Sequence, residues 1–484
     1  MGDAISYVIS LDESSEYLGN TYVGKYIHRY AKTIGCTHVV YEPIYTDKEY
    51  LLDYQNYYSR SHREHPRTTQ RLHFLKLDKP LSNDDVMGLL IDGKIGALLT
   101  TKDSYCGFTV IKPITTAEGE PIIGRTMLAT YEKEAIDSEG QKIVRYYLEN
   151  THKSHLFGNE MSIKSTPFQA QDKEVSACAT VALWTACQAL TSEFGTQTHA
   201  LSEIAAKTAI RPATSRSFPT SGLTLPQIVE YIHSIGLETD LIHVSNEDND
   251  ASTDQSNVRD AKTAIKAFIR AGMPIIAMIA LIKEPETEDE KKEKAYHAVV
   301  ITGYGENENG DLVELYLHDD GIGPYCRARW KENVPEIKYE WNDPDMRAEY
   351  PCFHFDKIII HTLVTPVYPK FRMPSSQIIF NYWQYINDHQ DSETLDFQLL
   401  FFLAKDYKRD LIRNGCKYRE RFLTENLPRF LAVIRIMKKG KIALDLVHDA
   451  TESLPRIPEL VHYRDLKPKP VKIDLSGSPL ATTL

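Results

Sequence analysis

The residues best placed to do chemistry begin with a cysteine. Gln171-Asp-Lys-Glu-Val-Ser-Ala-Cys178 runs into Ala-Thr-Val-Ala-Leu-Trp-Thr-Ala-Cys187, and from Ala177 to Leu190 almost every position is apolar or small. A helix greasy on all sides belongs inside a large core. Small residues and a polar stretch precede Cys178, so the spacing predicts that its sulfur sits at the helix N-terminus. Unpaired backbone N–H groups and the macrodipole there favour thiolate over thiol. Cys187 lies further along the same helix and reads as inert core. A lone cysteine in an apolar helix is most often a small hydrophobe; a histidine and two aspartates further along the chain give Cys178 a different reading.

Ala295-Tyr-His297-Ala-Val-Val-Ile-Thr-Gly-Tyr304 reads as an interior strand with a histidine at its start. Glu306-Asn-Glu-Asn-Gly-Asp311 is a hairpin signal, and a second strand, Leu312–Leu317, ends in His318-Asp319-Asp320-Gly. An antiparallel pair of this kind sets a carboxylate beside the imidazole, where it would hold the tautomer that a base needs. These positions assign the roles. Cys178 attacks a carbonyl carbon to give a thioester, and His297 takes the thiol proton and returns it to the leaving group. Asp319 orients the ring, with Asp320 as the alternative. Asp319 is favoured because successive strand residues face opposite sides, which turns His318 away. The Gln171 amide and the Cys178 backbone N–H would serve the oxyanion.

This stretch resembles the papain-like cysteine peptidase superfamily, and within it the bacterial double-glycine leader peptidase-like group. The resemblance rests on Gln171, Cys178, the His297 strand with Gly303 and Tyr304, and Asp319 or Asp320. Gly222 to Leu237 is similar to the group's connecting helix. Ile265–Met273 and Pro274–Ala280 are similar to its next helix and first core strand. The resemblance implies an α+β fold, a papain-like core with the buried cysteine helix packed on an antiparallel sheet. It also implies a thiol hydrolase that needs no cofactor or metal and acts on a peptide or protein. Two departures stand out: Gln171 lies seven residues before Cys178 where six is usual, and Asp172 occupies the six-back position.

These residues need elements to hold them. The core is expected over 156–365, between a mixed α/β region at 1–155 and a C-terminal region at 366–484. In the first region Thr37–Tyr45, Tyr105–Pro113 and Ile123–Tyr131 read as strands, with Pro113 closing the second. Lys48–Tyr58, rich in tyrosine, and Asp84–Ile95 read as helices. In the core, Ser245–Asp260 and Lys283–Lys294 are polar insertions, expected as solvated loops. The three prolines of 366–377 suggest a linker or domain boundary. Beyond it Ile378–Asp388 and Thr394–Arg413 read as helices, Leu431–Ile436 and Lys441–Val447 as a hairpin about Lys438-Lys-Gly440, and the tail from Asp465 as extended.

Composition narrows the functional classes. The 484 residues carry 56 basic and 67 acidic side chains, a formal charge of −11, which argues against a general nucleic-acid binder. Seven scattered cysteines with no CxxC pair argue against a zinc ribbon or disulfide framework and for a reducing, cytoplasmic setting. There is no signal-peptide pattern, and Gly2 with Ser6 is only a loose lipidation match. No apolar run is long enough to span a membrane. His62-Arg-Glu-His65 lacks metal-site spacing, Gly303-Tyr-Gly305 lacks a phosphate-loop context, and Trp184, Trp330 and Trp341 read as core or wall aromatics. Two further readings differ from a simple hydrolase: a silent papain-like scaffold that engages a protein partner, and a site that transfers acyl groups to amines or thiols.

Overall fold

The computed structural model describes residues 5–101, 103–137, 140–172, 177–208, 222–245, 255–285, 292–340, 355–389, 395–453 and 457–463. Its sheets are antiparallel. β1 (Tyr7–Ser10), β2 (His38–Tyr45), β3 (Thr69–Leu75), β4 (Tyr105–Thr115) and β5 (Pro121–Leu128) form a five-stranded sheet in chain order. β6 (Glu134–Ile136) and β7 (Lys142–Tyr147) leave it to join a larger sheet, and β8 (Asn150–Leu156) pairs with β9 (Asn159–Ser165). The larger sheet continues with β10 (Glu238–His243), β11 (Ile275–Lys283), β12 (Glu293–Glu306), β13 (Leu312–Asp319), β14 (Gly323–Trp330), β15 (Glu336–Tyr339) and β16 (Lys357–Val367). β17 (Leu395–Leu403), β18 (Phe430–Lys438), β19 (Lys441–Asp449) and β20 (Glu459–His462) make a four-stranded C-terminal sheet.

Within the larger sheet, β11 pairs with both β12 and β16, while β12 to β16 pair in sequence. Strands β11 to β16 therefore close on themselves, which leaves none of the six with a free edge along its whole length. Side-chain alternation divides the two faces. Ile275, Ala277, Ile279, Val299, Ile301 and Leu317 share a core with helix Gln255–Arg270 and the C-terminal sheet. Ile276, Ala298, Val300 and Val364 instead meet helix Cys178–Phe194. That helix is apolar all round because it is covered on both sides: the strands lie beneath it, and Tyr50, Tyr58, Ile114 and Ile122 of the first region lie over it.

Several expectations need revision. Pro113 lies inside β4, at an irregularity between Lys112 and Thr115 where a missing N–H costs no ladder bond. Thr394–Arg413 is not one helix: Leu395–Leu403 is a strand paired with β18, and only Ala404–Asn414 is helical. Leu399 and Leu400 are both buried, on opposite faces, and a strand buried on both faces loses the alternation that marks it. The 366–377 segment is packed rather than a free linker, since Val367 ends β16 and Phe371 and Met373 are core residues. The sheet also crosses the divide expected at 155/156. β12 outruns β11, and its open edge at Gly303–Glu306 is covered by Val144–Tyr147. The Gly2 pattern, the middle of both polar insertions, Trp341 and the tail from Asp465 lie outside the described residues.

Gly303 makes this last junction possible. A Cβ there would lie 2.6 Å from Tyr147 Cδ1 and 2.7 Å from the Tyr146 carbonyl oxygen. Gly303→Ala is expected to destabilise the protein by about 1–3 kcal/mol through overpacking. Gly96→Ala, with nothing within 4 Å, should stay within about 0.5 kcal/mol. Paired denaturant melts check both.

Candidate active site

Cys178 is the first residue of its helix, after Ala177 in extended conformation. The first N–H groups of a helix have no intrahelical partner, so the backbone N–H of Cys178 and the positive end of the helix lie at the sulfur. The side chain is half-buried and close enough to His297 to help raise the pKa of its ring.

His297 stands at the fifth position of β12 rather than at its start. Its Nε2 lies 3.0 Å from Asp319 Oδ1, which leaves Nδ1 to face the thiol. The β12–β13 register pairs Val300 with His318, so Asp319 shares a face with His297 and His318 points away. His318 instead meets the Pro167 carbonyl and the rings of Phe168 and Tyr325, and burial pushes it down to about 3. Asp319 is fully buried. Its Oδ2 accepts from the Tyr339 hydroxyl at 2.7 Å and its Oδ1 from the Gly321 N–H at 3.0 Å.

The electrostatics come from these partners. Burial opposes charge on His297, but Asp319, Cys178 and Asp320 outweigh it and hold the ring well above the usual histidine range. Burial would likewise raise Asp319; the His297 charge and the bonds from His297, Tyr339 and Gly321 overcome it and hold the carboxyl below its usual range. Asp320 behaves differently. Its Oδ1 is 3.6 Å from His297 Nε2, and apart from its own backbone N–H neither carboxyl oxygen has a hydrogen-bond partner among the described residues. Burial, with the Asp319 charge adding to it against the attraction of His297, pushes Asp320 up to about 7.

The structure thus brings Cys178, His297, Asp319 and Asp320 together. Gln171 is half-buried in the segment ahead of the helix. Asp172, at the six-back position, is buried and accepts from the Tyr58 hydroxyl at 2.7 Å. Among the described residues, His297, Asp319 and Asp320 are the cluster whose donor atoms, all within 4.8 Å of one another, could hold a metal ion; His62 and His65 form no such group.

Sequence reasoning missed the supports. Gly321 comes after two aspartates, and Asp-Gly is a turn signal that could have revealed the bond back to Asp319. Tyr339, on a separate strand, carries no such signal. Gly323 lets the Tyr26 ring press on the turn after Asp320, since a Cβ there would lie 2.1 Å from Tyr26 Cδ1. Glu49 accepts from Trp184 Nε1 and from Gln188 Nε2, tying the first region to the cysteine helix.

No protein-family model matches the chain, and no curated protein matches it significantly. The side-chain geometry therefore carries the functional reading.

The two aspartates should separate by pH. A carboxyl that keeps its proton to about pH 7 when folded, but to about 3.9 when unfolded, stabilises the fold fully only below the lower value, and that stability is lost as pH rises through the upper one. Asp320→Asn, with chelator present, should gain stability relative to the native protein at pH 8 and not at pH 3.5. Asp319 has the opposite sign: its stabilisation is present above the unfolded value and lost below it, so Asp319→Asn should cost stability at pH 8. Denaturant melts at the two pH values measure both.

Proposed function

We propose that the protein is a papain-like cysteine hydrolase acting on peptide or amide bonds. The observation that carries this reading is the His297 ring, bonded at 3.0 Å to the buried Asp319 carboxylate and with the Cys178 thiol, at the start of its helix, close enough to act on it. Closure of β11–β16, with the cysteine helix packed on Ala298 and Val300, fits the papain-like core that the sequence resembles.

In this mechanism the thiol proton passes to His297 Nδ1 before attack, which leaves an imidazolium beside the Cys178 thiolate, and the sulfur then adds to the carbonyl carbon. Asp319 keeps the ring oriented and balances the imidazolium. The Cys178 backbone N–H, at the helix N-terminus, donates to the oxyanion. The imidazolium then protonates the departing amine, leaving a thioester. Water, activated by the neutral ring, hydrolyses the thioester and restores the thiol. An amine or thiol in place of that water would make the reaction acyl transfer. The free state of the described cysteines supports a reducing, cytoplasmic setting, and the acidic balance supports a protein or peptide partner over nucleic acid. No helix among the described residues is long and apolar enough to cross a membrane.

One observation favours the scaffold reading instead. The position six before the cysteine holds Asp172, an acceptor bonded to Tyr58, where an amide donor is usual. An acyl-type activity-based probe for thiol hydrolases decides between the two. Labelling of the native chain is expected at Cys178, mapped by mass spectrometry, with none in Cys178→Ala and a loss of about 10³-fold or more in His297→Ala. No adduct at Cys178 would favour the scaffold.

A further inference from the structure

The mechanism uses Asp319 and leaves Asp320 without a task. Asp320 is buried, its side chain only 2% exposed, and apart from its own backbone N–H neither carboxyl oxygen has a hydrogen-bond donor among the described residues. A carboxyl group so placed must carry a proton or face a cation. It points at the His297 edge that Asp319 also faces. Nε2 lies 3.0 Å from one carboxylate and 3.6 Å from the other, and ligands around a tetrahedral zinc ion stand roughly 3.3 Å apart. Tyr339 and Gly321 hold Asp319 from behind, the outer support that metal-binding carboxylates need.

We propose that His297, Asp319 and Asp320 form a binding site for a divalent transition-metal ion, of which zinc is the probe, and that its occupation reversibly switches off the thiol. Metal capture rests on the His–Asp–Asp geometry, whereas inhibition rests on the hydrolase reading above. Coordination needs the Nε2 lone pair, so the proton there is released and Asp320 gives up its own. The proton that a neutral imidazole retains then sits on Nδ1, where it blocks uptake of the thiol proton. The sulfur lies on the other side of the ring and is not a ligand.

The test uses the full chain, stripped of metal and titrated with zinc chloride, as native protein, Cys178→Ala and Asp320→Asn. Native protein and Cys178→Ala are expected to bind one equivalent with equal affinity, and X-ray absorption should show nitrogen and oxygen ligands without sulfur. Asp320→Asn should bind more weakly by at least the roughly 10–100-fold that loss of a supporting partner costs. Zinc should slow alkylation of Cys178 in the native chain, and chelator should restore it. Loss of the site in Cys178→Ala, a sulfur ligand, or undiminished binding by a folded Asp320→Asn would overturn the assignment. If Asp320→Asn does not fold, the Cys178→Ala titration and its absorption spectrum decide alone. Zinc bound by a chain whose Cys178 ignores the acyl probe would remove the hydrolase reading and keep the metal site; a reactive Cys178 without zinc binding would do the reverse.

Discussion

The bond between His297 and Asp319 is the constraint on which the rest of the site depends. A fully buried carboxylate and a largely buried imidazole are costly to take out of water, and the pair persists only if each remaining lone pair and proton is satisfied. Tyr339 and Gly321 complete Asp319, and Cys178 takes up the free side of the ring. Each partner comes from a different element: β12, β13 and the turn after it, β15, and the start of the cysteine helix. Closing β11–β16 is what brings β15 within reach of Asp319.

The outer regions bear on the site through packing. Tyr50, Tyr58, Ile114 and Ile122 cover the cysteine helix, and Glu49 grips it through Trp184 and Gln188. Burial of Glu49, with Asp47 nearby and only partly offset by Arg125 and Trp184, raises its carboxyl to about 7. Tyr26 presses on Gly323 beyond the aspartates. On the other side, helix Gln255–Arg270 is held between the strands and the C-terminal sheet by Phe268, Phe371 and Phe401, whose ring centroids lie 5.0–6.3 Å apart. The three regions share cores, so the position of the Cys178 sulfur is set by residues far from it in sequence.

Much of the local structure was legible because short-range physics fixes it. The hairpin at Lys439 and Gly440 forms with both residues at positive φ, the conformation that the Lys-Lys-Gly sequence suggested. Strand alternation correctly turned His318 away from His297. A helix at Leu225–Ser234 and a strand at Ile275–Lys283 lie on segments whose sequence was expected to form a helix and a strand. What the sequence hid was pairing at long range. Nothing in Lys142–Tyr147 announces that it will cap β12, and nothing in Tyr339 announces a bond to Asp319. The strand at Leu395–Leu403 was obscured for another reason: buried on both faces, it carries no alternation to read. Asp320 was legible as a candidate but not in its condition, because the lack of a donor to its oxygens, its own N–H apart, depends on neighbours from several elements.

The central claim is that Cys178 and His297 act as one proton-transfer pair. The most direct measurement is the pH dependence of iodoacetamide alkylation, resolved for each cysteine by mass spectrometry, in the native chain and in His297→Ala. Cys178 should outpace the other six thiols and lose that advantage when the imidazole is removed. A Cys178 that labels no faster than the rest, or whose profile His297→Ala leaves unchanged, would contradict the account.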